Sequence, residues 1–256
     1  MEAFMKKAIK ILAAVMTLAL LAGAVGCGTK NNNGTKDAAK LVMGTNALFP
    51  PFEYLEGTAI TGVDADLMAA IAKEMGIKLE ISDMEFDSLP TALANGQIDA
   101  IAAGFTVKPD REETMDFSTP YYTAAQTIIV LKDSTVAVAD DLKDKKIGVQ
   151  SGTTGQFAAE GLTATENIKG FGSGMLAVEA LKNGQVDAVI IDNNPAKAYG
   201  EQNPDTIKLI EGQFPDEQYA IAVKKGNTVL LKKINDALAK LKSDGTFDAI
   251  ISKYVK

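Results

Sequence analysis

The segment Ala92-Leu93-Ala94-Asn95-Gly96-Gln97-Ile98-Asp99-Ala100-Ile101 returns later in the chain as Ala180-Leu181-Lys182-Asn183-Gly184-Gln185-Val186-Asp187-Ala188-Val189, with seven of ten positions identical. Each copy has the pattern of a helix end, a glycine that stops the helix and a buried strand. A second pair follows the same order, because Leu41–Thr45 and Ile147–Gly152 are apolar runs that each precede a helical pattern. Two matches in one order predict two similar α/β lobes.

Outside this repeat, short apolar runs alternate with helical patterns. Val63–Met75 has helical spacing and stops before Gly76, and Ile77–Ile81 alternates as a strand does. Ser88–Ala94 is predicted to be a helix capped by Ser88, and Ile98–Ala103 a strand. Strands that alternate with helices predict, in each lobe, a mostly parallel sheet flanked by helices.

The start of the chain has the pattern of an export signal. A lysine-containing opening is followed by the apolar and small residues of Ile11–Gly26, a run of 16 residues that is short for a bilayer span. Ala24-Val25-Gly26-Cys27 resembles a lipobox, in which the cysteine is lipidated and becomes the mature N-terminus, although the usual leucine is replaced by Ala24. The alternative is an ordinary secreted protein cut near Ala24, with Cys27 a stray thiol.

We therefore predict a signal peptide over residues 1–26 and an anchor over residues 27–39. Cys27 would carry the palmitate of a lipoprotein and attach the chain to the outer side of the cell membrane. The polar stretch Gly28–Ala39 has no large apolar residue that could pack in a core, which is typical of a flexible tether.

The composition excludes several kinds of site. The net charge of −7 argues against a nucleic-acid partner, which would require a basic face. The chain has no histidine, and Cys27 is its single cysteine, so the usual zinc and copper sites are excluded. The same absence excludes Ser-His-Asp and Cys-His catalysis. We expect no metal and no cofactor.

The residues that follow the repeated strands are candidates for ligand binding, because open α/β sheets bind ligands at the carboxyl ends of their strands. Arg111 follows the first copy and is the only arginine, beside 25 lysines. Its planar guanidinium can hold a carboxylate with two hydrogen bonds, which an ammonium cannot reproduce. The alternative is an exposed arginine on a helix surface, paired with Glu112 or Asp116.

Two further candidates lie at strand ends. Ser151–Gly155 precedes a helix expected to begin near Gln156, and the free N–H groups and hydroxyls of a helix start bind anions. Its alternative role is an ordinary threonine cap. Asp192 follows the apolar run Val189–Ile191, where a buried carboxylate needs a partner such as a ligand ammonium. Asp192 could also cap the helix ahead of Pro195.

Several motifs, in one order, resemble the extracellular polar amino-acid-binding proteins that serve ABC importers. They extend from about Lys40 to the C-terminus and comprise Gly44–Asn46, Phe49–Tyr54, Gly62–Leu67, Asp116–Tyr122, Gly148–Gly155, Tyr219–Asn227 and Asp244–Asp248. The resemblance implies a periplasmic-binding-protein-like fold of type II, in which two lobes are joined by two crossover strands. Lobe one would be residues 40–120 plus 220–256, lobe two residues 126–214, and the hinges would lie near 121–125 and 215–219.

The resemblance also implies how the backbone groups of an amino acid would be bound. Arg111 would bind the α-carboxylate, helped by Thr106 and Thr154. Asp192 would bind the α-ammonium together with the backbone of Gly104.

For the ligand side chain, the resemblance implies stacking on Phe49 and Phe86 and contact of its tip with Asn46 and Gln150. Members that bind cations often have aspartate where this chain has Asn46. The neutral amide favours a neutral polar ligand, glutamine first, while nearby Glu53 keeps arginine or lysine open.

The resulting functional prediction is a lipid-anchored monomer that captures a polar amino acid outside the cytoplasmic membrane and delivers it to an ABC import permease. It is not expected to be an enzyme. The alternative is a dehydratase-like enzyme on the same fold that acts on an amino-acid-like acid, with Glu53, Glu85 and Asp192 as its candidate proton donors. Recovery of chemically unchanged ligand would distinguish binding from catalysis.

Overall fold

The structure is a computed structural model that describes residues 40–255. The predicted signal peptide, Cys27 and the tether lie outside the described residues. Within residues 40–255, no helix combines the length and the apolar character needed to cross a membrane.

The first sheet has five strands in the order β5-β1-β6-β14-β7. Their bounds are Lys40–Thr45 for β1, Lys78–Asp83 for β5, Ala100–Ile101 for β6, Met115–Phe117 for β7 and Ala222–Lys224 for β14. β1 pairs in parallel with both β5 and β6, whereas β14 pairs antiparallel with β6 and β7. Four of the five strands therefore run in one direction, and only β14 is reversed.

The second sheet repeats this plan in the order β10-β9-β11-β8-β12. Its strands are Tyr122–Leu131 (β8), Ile147–Gln150 (β9), Ile168–Phe171 (β10), Ala188–Asp192 (β11) and Ile207–Ile210 (β12). β9 pairs in parallel with β10 and β11, and β8 is the one reversed strand. A further strand, β13 (Asp216–Tyr219), pairs with the first residues of β8. A small third sheet contains β2 (Leu48–Phe49), β3 (Glu53–Glu56) and β4 (Ala59–Thr61).

Eight α-helices are found within residues 40–255. They are Val63–Glu74 (α1), Leu89–Ala94 (α2), Pro109–Thr114 (α3), Thr154–Glu160 (α4), Gly174–Lys182 (α5), Asn193–Gln202 (α6), Thr228–Ser243 (α7) and Thr246–Tyr254 (α8). α1 buries Val63, Leu67, Met68 and Ile71, the apolar residues whose spacing predicted the helix.

Three predicted boundaries differ from the structure. Ser88 does not cap α2 with its side chain, because a 3-10 turn over Phe86–Ser88 runs directly into that helix and gives Ser88 helical backbone angles. α4 begins at Thr154, two residues before the expected Gln156. The strand predicted over Ile98–Ala103 is assigned only at Ala100–Ile101.

The two copies of the repeat have the same local structure. Gly96 and Gly184 have φ values of 71° and 68°, which a residue with a side chain adopts only with strain. Just beyond each glycine, an aspartate accepts a backbone N–H from the neighbouring segment. Asp99 accepts from Val42 and Asp187 from Lys146, each at 2.8 Å. The repeat therefore builds one turn twice.

Candidate ligand-binding site

Eight of the nine predicted ligand-binding residues line one cavity between the first and second sheets. These are Phe49, Phe86, Gly104, Thr106, Arg111, Gln150, Thr154 and Asp192. Ala103 and Thr153 complete the lining and were not predicted, although each is adjacent to a predicted residue. The ninth predicted residue, Asn46, does not line the cavity, but its Oδ1 accepts a hydrogen bond from Nε2 of Gln150 at 2.9 Å.

Arg111 lies in α3 and is only 8% exposed. Its Nη1 donates to the carbonyl of Thr106 at 2.7 Å and its Nη2 to the carbonyl of Gly152 at 3.1 Å. Cζ lies 3.9 Å from the centre of the Phe105 ring. Burial lowers the pKa of Arg111 to about 10, so the guanidinium stays charged at neutral pH.

The alternative role of Arg111 as a surface ion-pair partner does not occur in the structure. Asp116 pairs with Lys225 at 2.9 Å instead, and among residues 40–255 no carboxylate lies within ion-pair distance of Arg111. Its two hydrogen-bond acceptors are neutral carbonyls, so the guanidinium has no carboxylate in direct contact, although Asp110, Glu217 and Asp192 act on its charge from farther away. Since a buried charge is costly without a counter-charge, Arg111 is suited to bind an anion that enters the cavity.

Asp192 supplies the negative charge on the other side of the cavity. It ends β11, is 6% exposed, and accepts a hydrogen bond from the hydroxyl of Tyr219 at 2.6 Å. Burial, followed by the negative charge of Glu217, raises the pKa of Asp192 to about 7. Its side chain makes no capping bond to α6, so the predicted alternative of a helix cap is not formed.

Gly104 faces the cavity with its backbone. Its φ is 52°, and a Cβ at this position would lie 2.8 Å from the ring of Phe49. The N–H of Gly104 donates to Oδ2 of Asp64 at 2.8 Å, and the hydroxyl of Tyr121 also donates to Asp64 at 2.8 Å. Asp64 belongs to the motif Gly62–Leu67, but the sequence did not predict that its carboxylate would bind the backbone of Gly104.

Glu53 lies behind the site and does not line the cavity. It is 1% exposed, and neither of its carboxyl oxygens has a donor among the described residues. Burial, followed by the charge of Asp64, raises the pKa of Glu53 well above its usual value. In its protonated form Glu53 can donate a hydrogen bond to the neighbouring carboxylate of Asp64.

The hydroxyls of Thr106 and Thr154 share one acceptor that the sequence did not identify. Oε2 of Glu217 accepts from Thr106 at 2.9 Å and from Thr154 at 2.7 Å. Among residues 40–255, no group of three or more histidine, cysteine, aspartate or glutamate side chains could hold a metal ion. The chemistry of the cavity is therefore that of one guanidinium and one carboxylate, together with hydroxyls, an amide and two aromatic rings.

The sequence profile of bacterial extracellular solute-binding proteins, family 3, matches residues 41–256. The chain belongs to this family. A probable histidine-binding protein of Neisseria gonorrhoeae is 37% identical to this solute-binding protein over 98% of the chain and 96% of its own length. ABC transporter arginine-binding protein 1 of Escherichia coli K12 is 34% identical over 86% of the chain and 93% of its own length.

Solved structures agree with these relatives. An ancestral arginine-binding protein bound to arginine has a TM-score of 0.82 and 42% identity, covering 86% of this chain and 100% of its own. The same protein type bound to glutamine has a TM-score of 0.81 and 42% identity, covering 84% of this chain and 97% of its own. The predicted type II periplasmic-binding-protein-like fold and the resemblance to extracellular amino-acid-binding proteins are thus confirmed.

Proposed function

We propose that this solute-binding protein captures a free polar α-amino acid outside the cytoplasmic membrane and delivers it unchanged to an ABC import permease. The observation that carries the proposal is the presence of buried Arg111 and Asp192 in one cavity, where neither forms an ion pair with another described residue. A free amino acid is a zwitterion that carries the two complementary charges. Arg111 would hold its carboxylate, with Thr106 and Thr154, and Asp192 its ammonium, with the backbone of Gly104.

Arg111→Lys tests this assignment. An ammonium keeps the charge but loses the two-pronged geometry, so the affinity for an amino acid should fall by about 2–5 kcal/mol, the usual cost of truncating one partner of a buried charge pair. Titration calorimetry on the mature protein measures the change. Lys73→Arg, an exchange of the same two residue types at an exposed position on α1, is the control. Near-normal affinity of Arg111→Lys would remove Arg111 from the site.

An enzymatic alternative has little support from the cavity. Of its three candidate proton donors, Glu53 and Glu85 do not line the cavity, and Asp192 is the one carboxyl group that does. If Asp192 binds the ligand ammonium, no acid is left to protonate a reacting carbon. Incubation with labelled amino acids followed by mass spectrometry of the released ligand tests this, and a dehydrated product would establish the enzyme.

The side-chain specificity rests on Asn46 and Gln150, whose amides already bond each other. Asn46 also donates to the carbonyl of Met84 at 2.9 Å. Amides donate and accept hydrogen bonds without burying net charge, which favours glutamine first and arginine or lysine next. The ancestral relative solved with arginine and with glutamine supports both ligands.

A calorimetric screen of common amino acids identifies the ligand. Asn46→Asp should then shift the preference from glutamine toward arginine or lysine, because a buried carboxylate favours a cationic partner. Asn95→Asp makes the same chemical change at an exposed position and should leave the preference unchanged. Tight arginine binding by the wild type, unaltered in Asn46→Asp, would show that Asn46 does not set specificity.

Ligand entry would require the two sides of the cavity to separate. The free volume of the cavity is about 10 Å³, room for no more than one water molecule. The bonds from Gln150 to Asn46 and from Arg111 to Gly152 join its two sides. We propose lobes of 40–120 plus 220–256 and of 126–214 that close on the ligand. Solution scattering of the monomer should give a smaller radius of gyration at saturating ligand.

Attachment through Cys27 completes the proposed function. Cys27→Ser should leave the ligand affinity unchanged and release the protein from the membrane fraction, because the sole lipid acceptor is lost. Fractionation with calorimetry of the released protein tests both points. A variant that still sediments with membranes would exclude the lipid anchor.

A further inference from the structure

Glu217 bonds two of the predicted ligand-binding residues, although the sequence predicts no role for it. It lies in β13, which pairs with β8 beside both sheets. A single oxygen, Oε2, accepts from Thr106, which follows the first sheet's β6, and from Thr154, which begins α4 beside the second sheet. Glu217 thus connects the same two hydroxyls that the proposed function assigns to the ligand carboxylate.

A count of protons shows that both carboxylates cannot use these hydroxyls together. A threonine hydroxyl has one proton to donate. The protons of Thr106 and Thr154 are both directed at Glu217, at 2.9 and 2.7 Å. The amide of Gln126 donates to the Thr154 hydroxyl at 3.0 Å, which orients that hydroxyl as a donor toward Glu217. A second carboxylate here would receive no hydroxyl proton and would be repelled by the first.

We propose that Glu217 is a built-in competitor of the ligand carboxylate, which occupies the hydroxyls of Thr106 and Thr154 and must release them when an amino acid binds. This inference rests on the proposed function and extends it, because it sets how tightly the site binds. When the two sides of the cavity meet, as in this structure, Glu217 accepts two charge-assisted hydrogen bonds from these hydroxyls. Ligand binding breaks the hydrogen bonds from Thr106 and Thr154 to Glu217, so the measured affinity is weaker than the contacts of the ligand alone would give.

The structure provides a place for the released carboxylate. Beside Glu217 lies a second cavity of about 620 Å³, which Thr106, Thr154 and Glu217 also line. Lys108 lines this cavity too, with its Nζ 3.2 Å from the centre of the Phe157 ring and 3.5 Å from exposed Asp110. Rotation of the Glu217 side chain into this cavity would bring its charge toward a lysine and away from the ligand.

The test is the affinity of Glu217→Gln and Glu217→Ala for L-glutamine and L-arginine, measured by calorimetry. Glu217→Gln keeps the size of the side chain but removes its charge, and Glu217→Ala removes the acceptor as well. Because each hydrogen bond to a charged group contributes noticeably to stability, we expect both variants to bind about tenfold more tightly than wild type. Glu211→Gln removes an exposed charge that pairs with Lys197 and should leave the affinity unchanged.

A second measurement separates competition from a general loss of negative charge. Thr106→Val should cost more affinity in the Glu217→Ala background than in wild type, because only there is the hydroxyl proton free for the ligand. Weaker binding by both Glu217 variants, or equal cost of Thr106→Val in both backgrounds, would overturn the inference while leaving the proposed function intact. If none of the common amino acids binds any of these proteins, the proposed function fails and the inference fails with it.

Discussion

The two copies of the repeated segment build the same turn but deliver different chemistry to the site. In each copy a glycine in the left-handed region is followed by an aspartate that accepts a backbone N–H at 2.8 Å. Beyond the copies the chain diverges. The first continues to Gly104, which offers its backbone, and the second ends at Asp192, which offers a carboxylate.

A buried carboxylate, that of Asp64, also lies beside Gly104, but it does not line the cavity. Asp64 receives the N–H of Gly104 and the hydroxyl of Tyr121, whereas Asp192 receives the hydroxyl of Tyr219 and faces the cavity. Burial raises both pKa values, that of Asp64 to about 6 and that of Asp192 to about 7. Two buried aspartates with raised pKa values thus differ in role, because Asp64 accepts a backbone N–H behind the cavity lining whereas Asp192 lines the cavity.

The largest expected effect is that of Asp192→Asn. Removing the only carboxylate that lines the cavity leaves the ligand ammonium without a counter-charge, and affinity should fall by about 2–5 kcal/mol. Calorimetry with the preferred amino acid measures the loss, and thermal unfolding checks that the variant is folded. An affinity within threefold of wild type would show that Asp192, like Asp64, does not bind the ligand ammonium.

Asp64→Asn should lower the stability of the folded protein more than it lowers the affinity for ligand. The asparagine oxygen can accept a hydrogen bond from Gly104 or from Tyr121, but the asparagine NH₂ group would face the other donor. The buried donor left without an acceptor should lower the free energy of unfolding by about 1–3 kcal/mol. Urea unfolding measures this, with Asp66→Asn as the control, since Asp66 pairs with exposed Lys253 near the surface. We expect a smaller loss of affinity than in Asp192→Asn. A stable Asp64→Asn that cannot bind ligand would reverse the two roles.

The pH dependence of ligand binding should also distinguish Asp192 from Asp64. The raised pKa means that Asp192 is protonated below about pH 7, while a ligand ammonium requires its carboxylate form. Binding must then release a proton, so affinity should fall about tenfold per pH unit below pH 7 and be constant just above it. Calorimetry between pH 5 and pH 8 should show this fall in wild type and in Asp64→Asn, but a flat profile in Asp192→Asn. A fall that persists in Asp192→Asn would assign it to another group.

The smallest effect concerns the two aspartates that the copies share. Asp99→Ala and Asp187→Ala each remove one acceptor of a backbone N–H, and each should lower the melting temperature by about 2–4 °C. Ligand affinity should not change, because neither side chain lines the cavity. Differential scanning calorimetry compares the two. A much larger loss from one variant would show that the two turns, although alike, do not contribute equally.

Local sequence was sufficient to predict the alternating architecture and part of the cavity, and the family resemblance supplied the other cavity residues. Strand ends, helix starts and glycine turns depend on neighbouring residues, and ligand-binding groups of this fold gather at strand ends. Arg111 and Asp192 were predicted on this basis, whereas Gln150 was implied by the family resemblance. The prediction failed locally at Ser88, where a preceding 3-10 turn, set by the packing of buried Phe86, replaced the capping geometry.

Which buried groups support or oppose ligand binding depends on contacts between segments that lie far apart in the sequence. The bond from Gly104 to Asp64 joins residues 40 positions apart, and the bond from Thr106 to Glu217 joins residues 111 positions apart. No pattern of period 2 or 3.6 records such pairs, because they form only when separate helices and strands pack together. Strand-end patterns and the family resemblance therefore predicted eight of the residues that line the cavity. The packing placed Asp64 against the N–H of Gly104, buried Glu53 behind the cavity, and directed the two threonine hydroxyls at Glu217.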